Sequence, residues 1–558
     1  GLGIRVDQHV SFPPIHHEID RMPEGLRGLF RYLRQAFGPF AQGPAGILAR
    51  YGEGVIVGVD ALGLRPLWRV ETAERLVFTS ERGVVPMARM TADPRPLAPG
   101  EKVGLVIRPG RPVELLEHPA IRRHVAAHVG GRLDVAGTQA AVLWMGEEAH
   151  ELPVPLRDLT LHDITGVRVH ALPVKENLYP AFGWDREDQK DLEAICQTGQ
   201  DPIGSLGYDG PLAVLARTRQ NLADYFKESV AVVTNPAIDR EREMEHFSTR
   251  VYLGRRPSLG KAARPVPWGL VLDFPILVGG HLGDAPLLDE MYRRLAQRSG
   301  TCVLEDFVHA VIRADPRALK MIRAVYREGE PLREALARVV AEGVQAVREG
   351  ASALLVDDAL AFQDGHLWMD PALVVSALDL ALSAVRREPG GESLRRACVI
   401  VVRAGSVRNL HDLAFLLGVG ADAVNPWLMF DFVEDEDHWP AVPPAEMMAE
   451  AREKAMANLL EGLRKGIEKI ISTMGIHELR GYGRVFGGIG LSPEVAEIFR
   501  MPVFCGREGA GLTLPRLEAE FRERDRMARA EDLVETRYPF RMNPHVWAAA
   551  GAAARGEG

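Results

Sequence analysis

Apolar and polar residues alternate over short stretches early in the chain, and further along the period lengthens. The runs 45–50, 55–59, 67–70, 76–79 and 103–107 are punctuated by Tyr51-Gly52-Glu53-Gly54 and Asp60-Ala61-Leu62-Gly63, where glycine supplies the positive φ of a tight turn. They predict a mostly antiparallel β layer. Leu26, Leu29, Phe30, Leu33 and Phe37 recur at helical spacing, so a helix over 24–37 should pack on that layer. Residues 130–173 are weakly patterned and read as a connection. Beyond them, Leu222, Tyr225, Phe226 and Val230 predict a helix within 220–233, and Ala335, Leu336, Val339, Val340, Val344 and Val347 predict another over 332–348.

The clearest stretch is 351–430. A short apolar run at 353–356 ends in Asp357-Asp358, 372–385 reads as a helix, 398–402 as a second buried strand, 407–417 as a helix and 421–425 as a third strand. This βαβαβ order, with strands apolar on both faces, implies a parallel sheet in an open or barrel form. Groups just past the strand C-termini line the functional face of such sheets, which places Asp357, Asp358, Arg403 and Asn425 on one rim. A long amphipathic helix over 446–474, stopped by Gly475, presents a core stripe, and the mixed charges of 507–537 predict a helix with a solvated face.

Composition narrows the function classes. The 558 residues are 46% hydrophobic and 26% charged, which fits several packed domains and excludes a largely unfolded chain. The net charge of −9, with arginines scattered along the chain, argues against nucleic acid or an anionic membrane as partner. No apolar run is long enough to span a bilayer and no export signal is visible, so the cytoplasm is the expected location. Cys196, Cys302, Cys398 and Cys505 are too far apart in sequence for a clustered zinc or iron–sulfur motif and read as buried thiols.

Other chemistry is thin. His124 and His128 stand at i, i+4 without the adjacent glutamate of a zinc hydrolase helix and read as surface histidines. Glu434-Asp435-Glu436-Asp437 lacks the spacing of a calcium loop, Gly279-Gly280-His281-Leu282-Gly283 reads as a turn, and Ser205 lies in a glycine-rich connection with no histidine to activate it.

Longer motifs carry a family resemblance. Asp60-Ala61-Leu62-Gly63-Leu64-Arg65-Pro66-Leu67 and Thr79-Ser80-Glu81-Arg82-Gly83-Val84-Val85 resemble the second half of an N-terminal-nucleophile glutamine amidotransferase domain, a pattern that amidophosphoribosyltransferases partly share. The stretch Asp201-Pro202-Ile203-Gly204-Ser205-Leu206-Gly207-Tyr208-Asp209-Gly210 is followed by Asp224-Tyr225-Phe226-Lys227 and Thr234-Asn235-Pro236-Ala237-Ile238-Asp239. These, with Leu416-Leu417-Gly418-Val419-Gly420-Ala421-Asp422-Ala423-Val424-Asn425-Pro426 and Ser472-Thr473-Met474-Gly475-Ile476, are similar in order and spacing to the central domain of the glutamate synthase large subunit. Arg403, the stretch from Arg480 to Arg484, and Cys505-Gly506-Arg507 depart from the family pattern and mark a divergent member.

The resemblance implies an α/β multidomain chain. Residues 1–150 would be the C-terminal half of the amidotransferase domain, 175–498 the central domain, a degraded barrel-like parallel βα unit, and 499–558 the entry to an FMN-binding synthase barrel. It implies an enzyme in which a cysteine hydrolyses glutamine and ammonia passes through a tunnel. A flavin site fed by an iron–sulfur cluster then uses that ammonia to convert 2-oxoglutarate to glutamate. The nucleophile would precede Gly1, and FMN and the cluster would follow Gly558, so no catalytic, cofactor or metal residue is expected within the chain, and the chain alone should be inactive. Its partners would be the remaining glutaminase and FMN/iron–sulfur domains, with ferredoxin or an NADPH-linked small subunit as electron donor. Asn235, Arg242, Asp358, His411 and Asn425 are the candidates for interdomain or tunnel roles. A stand-alone, non-catalytic scaffold or another class II amidotransferase are the alternatives.

Overall fold

The computed structural model describes residues 19–37, 44–60, 63–130, 142–145, 172–201, 206–207, 212–216, 220–229, 232–233, 239–257, 268–280, 286–363, 365–387, 391–435, 438, 447–506, 510–536 and 544–557. Strands Gly46–Tyr51, Gly54–Val59, Lys102–Val106 and Glu114–Leu116 pair antiparallel in that order, and Leu76–Thr79, Trp68–Glu71 and Arg95–Pro96 form a second antiparallel sheet. The Asp60 motif has a structural explanation: its buried carboxylate accepts the backbone N–H groups of Leu64 (2.9 Å), Arg65 (3.0 Å) and Ala45 (3.2 Å), which fixes the turn. The helix forms over Glu24–Ala36 and buries Leu29, Phe30 and Leu33. Arg34 on this helix meets Glu478 at 2.9 Å, and the Arg396 guanidinium donates to the Ala36 carbonyl at 2.7 Å, which ties the layer to the rest of the chain.

Strands Leu319–Arg323, Ala353–Asp357, Val399–Arg403 and Ala423–Asn425 run parallel in that spatial order. The crossovers are helices Leu332–Glu349, Pro371–Ala384 and Leu410–Val419. The second and third crossovers start at side-chain caps. Asp370 accepts from Ala372 N at 2.9 Å with Pro371 in the first turn, and the Asn409 side chain accepts from Asp412 N at 3.1 Å. Parallel bridges from Ile276 to Val424 and from Val278 to Val303 extend the sheet, and among the described residues no ladder closes it into a ring. Helix Met448–Met474 packs on helix Arg186–Thr198 and ends at Gly475 in the left-handed region.

Three expectations about the elements fail. Residues 220–233 do not form a helix: Leu222–Tyr225 is one 3-10 turn and Phe226–Glu228 is a strand paired with Phe486–Gly488. Asn221 and Asp224 cap that turn, and the chain leaves it to satisfy a sheet edge, a long-range demand that overrides the local spacing. The weakly patterned connection contains a strand, Val142–Trp144, parallel to Gly269–Leu272, while most of 130–173 lies outside the described residues. Helix Leu514–Ala528 has a buried face that includes Leu517, Phe521 and Arg524, so it is not simply a solvated charged helix.

Candidate functional site

Strand register brings Asp357, Arg403 and Asn425 side by side at the C-terminal edge of the sheet. Both Asp357 and Arg403 are 3% exposed; the Arg403 Nη1 donates to Asp357 at 3.3 and 3.4 Å, and its Nε and Nη2 donate to the Gly280 carbonyl at 3.0 and 2.7 Å. Asn425 Nδ2 donates to the carbonyls of Leu277 (2.8 Å) and Gly279 (2.9 Å). The double glycine is required here. Gly279 and Gly280 both have φ +78°, and a Cβ at Gly280 would lie 2.5 Å from Asn425 Oδ1. The turn therefore folds down onto the rim, with Gly280 N donating to Glu305 at 2.9 Å.

Asp358 sits at the centre of a second layer. Its buried carboxylate accepts from Trp427 Nε1 (3.1 Å), Trp368 Nε1 (3.3 Å) and Gly405 N (3.1 and 3.2 Å). Burial pushes this carboxyl up to about 7, against the pull of the indole donors and with the Asp357 charge adding to the rise. Phe182 fills the space above it, with ring centroids 5.6 Å from Trp427 and 6.0 Å from Trp368, and Trp184 Nε1 donates to the Gly405 carbonyl at 3.0 Å. Gly405 has to be small, since a Cβ there would come within 2.8 Å of both Phe182 and Trp427.

Two arginines hold this aromatic plug in place. Arg524 lies over the Trp368 ring at 4.9 Å and donates to the Ala181 carbonyl (3.1 Å) and to Asn221 Oδ1 (2.7 Å). Arg408 is buried among Asp412 (2.7 Å), Asp224 (2.9 Å) and Asp188 (3.9 Å), an arrangement that raises its pKa although burial alone would lower it.

The sequence candidates separate. Asp358 and Asn425 both lie at the C-terminal edge of the sheet, in separate hydrogen-bond clusters. His411 lies beside the Arg408 cluster, where its Nε2 donates to the Ala223 carbonyl at 2.8 Å and burial lowers its pKa. Arg242 falls in helix Arg240–His246 with its side chain outside the described set, and Asn235 lies outside the described residues, as does Ser205. Sequence reasoning missed Phe182, Trp184, Arg408 and Arg524. The aromatic density of Tyr179, Phe182 and Trp184 around Pro180 and Gly183 was the available signal for the plug.

Chemically, each carboxylate of the rim is engaged by N–H donors, Asn425 Oδ1 is buried with no hydrogen-bond partner among the described residues, and aromatic rings occupy the place where an open α/β sheet would seat a ligand. The cysteines do not converge, and among the described residues no three histidine, cysteine or acidic side chains are placed to share a metal ion. Burial pushes the Cys196 and Cys398 thiols up to about 12, so they are held protonated, whereas Cys505 is exposed, against the expectation of four buried thiols. Among the described residues no helix is long and apolar enough to cross a membrane.

Comparison with known proteins gives the family. The glutamate synthase central domain model matches residues 177–492. The "Glutamate synthase [NADPH] large chain" of Bacillus subtilis is 26% identical over 537 residues, 94% of this chain and 30% of that protein. The "Ferredoxin-dependent glutamate synthase, chloroplastic" of Oryza sativa subsp. japonica is 27% identical, covering 86% of this chain and 27% of that protein. The NADPH large chain of Azospirillum brasilense is 27% identical over 88% of this chain and 29% of its own length. The chain thus spans less than a third of these relatives. A solved flavocytochrome b2 variant with sulfite bound matches 30% of this chain and 34% of its own at 18% identity with a TM-score of 0.20, too low for any argument about fold. A match that runs from the aromatic plug through the parallel sheet to the strand beyond the long helix makes the chain a member of the glutamate synthase central-domain family.

Proposed function

We propose that this chain is the central part of a glutamate synthase large subunit and acts as the scaffold and part of the ammonia conduit between a glutaminase and a flavin site. In this reading residues 1–150 complete the amidotransferase domain, 175–498 form the connecting domain and 499–558 lead into the synthase barrel. FMN, the iron–sulfur cluster and the electron donor, ferredoxin or an NADPH-linked subunit, belong to the rest of the enzyme. The sealed rim carries the proposal. Its strand ends hold a buried ion pair and an aromatic plug in place of a pocket, which suits a unit that positions its neighbours. The contact of Arg34 with Glu478 is the link through which the layer ahead would be held in register.

The test is the coupling of the two half-reactions in the enzyme that contains this chain. Arg34→Ala should lower glutamine-dependent glutamate formation several-fold while leaving formation from supplied ammonia unchanged. Equal loss in both assays would sink the conduit role. The chain by itself should show no glutaminase activity and should not retain stoichiometric FMN after purification.

A further inference from the structure

The opposite end of the parallel sheet is not sealed. Around the start of strand Ala423–Asn425 lies a cavity of about 320 Å³ lined by Arg256, Arg395, Arg480 and Arg484, with Asp379 and Asp422 as its acidic residues. Most of these charges are already engaged. Asp379 accepts from Arg395 (2.8 Å) and Arg484 (2.9 Å), and Asp422 accepts from Arg395 (2.8 Å) and from the Ile400 backbone N–H (2.8 Å). Glu478, beside the cavity, is shared by Arg480 and Arg34, each at 2.9 Å. Five guanidiniums therefore face three carboxylates.

Arg256 is the cation left over. Its backbone N–H is held by the Arg396 carbonyl at 2.9 Å, which anchors the main chain there, while among the described residues its side chain makes no hydrogen bond or ion pair. Burial pulls the guanidinium down to about 10, and the neighbouring Arg395, Arg480 and Arg396 outnumber Asp422 as its charged surroundings. A cation that makes no ion pair among the described residues, crowded by like charges and facing a cavity, is stabilised most by a bound anion, and a guanidinium fork is matched to the paired oxygens of carboxylate or phosphate. Arg480 and Arg484 also bound the stretch in which this sequence departs from the family pattern.

We propose that this cavity is a binding site for a small oxyanion, a carboxylate or phosphate group, with Arg256 as its principal ligand. The site lies away from the rim and does not depend on the scaffold reading.

Calorimetric titration of the full chain with inorganic phosphate, and separately with glutarate, tests it at constant ionic strength set by chloride. Saturable one-to-one binding of either supports the site. Phosphate alone would identify a phosphoryl ligand and glutarate alone a carboxylate ligand, while binding of both would mean that the cavity reads the charged oxygens they share. Arg256→Gln should weaken binding by about tenfold or more, the worth of a hydrogen bond between charged groups, and Arg333→Gln on a distant exposed helix should not. Absence of saturable binding of either anion to the unmodified chain overturns the proposal, as does equal binding by Arg256→Gln. Should that variant fail to fold, phenylglyoxal labelling of the unmodified chain gives a second readout. The bound anion should protect Arg256 from modification, and equal labelling with and without it would again overturn the site.

Discussion

The parallel sheet and the antiparallel layer ahead of it are built from similar apolar residues but use their faces differently. Strands Ala353–Asp357 and Val399–Arg403 are buried at every position, whereas Gly46–Tyr51 leaves Leu48 57% and Tyr51 70% exposed. The buried residues of the parallel sheet belong to one continuous core that also takes in Phe182, Trp427 and Phe521. Those of the layer fall into small separate clusters, such as Val57 with Leu67 and Val103, or Leu29 with Ile56 and Val125. The central unit is thus self-sufficient in burial. The layer keeps apolar surface in reserve and depends on a few polar ties such as Arg34 to Glu478.

The largest effect should come from the plug. Trp427→Ala removes a 2% exposed indole and a donor to Asp358, and should cost about 3–5 kcal/mol in urea unfolding of the central unit. A smaller loss would mean that the layer and the sheet share stability more evenly than their cores suggest. Arg403→Ala should cost about 3 kcal/mol or more by leaving Asp357 buried without its partner. The double change Arg403→Met with Asp357→Leu should recover most of that loss, since the pair's mutual attraction largely offsets its own desolvation.

The tie between the regions should respond to acid. Burial and the Arg34 charge lower His477 to about 4, below its unfolded value near 6.5. The unfolded chain then binds more protons across that window, so stability falls as pH drops from about 6.5 toward 4, by up to about 3 kcal/mol. His477→Gln should flatten this slope in thermal melts across the same range, and an unchanged slope would remove His477 as its source. The smallest effect should follow Val57→Ala, about 2 kcal/mol from a fully buried site in the layer. It should raise hydrogen exchange across 46–116 and leave the sheet at 353–425 protected.

The legibility of the sequence follows the same division. The βαβαβ run was readable because continuous apolar strands, a capped helix start at Asp370 and glycines at 350 and 420 all agree on one structure. The rim was readable from position alone, as residues past strand ends, although nothing local revealed that it would be closed. Closure depends on Phe182 and Trp184, more than 170 residues before Asp358, and on Arg524 far beyond it. Residues 220–233 misled because Leu222, Tyr225 and Phe226 fit a helical face, while pairing of Phe226 with Gly488 decided the outcome. The mixed charges of the 514–528 helix hid Arg524 for a similar reason, since one inward-pointing arginine does not disturb the pattern of a charged face.

Arg524 also sets a schedule for the nascent chain. Its partners Ala181, Gln220 and Asn221 leave the ribosome 343, 304 and 303 residues earlier. Until helix Leu514–Ala528 is translated, the carbonyl of Ala181 and Asn221 Oδ1 wait without their guanidinium, and Trp368 lacks the cation over its ring. Translation that stops short of residue 524 would release a polypeptide carrying most of the core residues of the central unit but lacking the arginine that joins Ala181, Asn221 and the Trp368 ring.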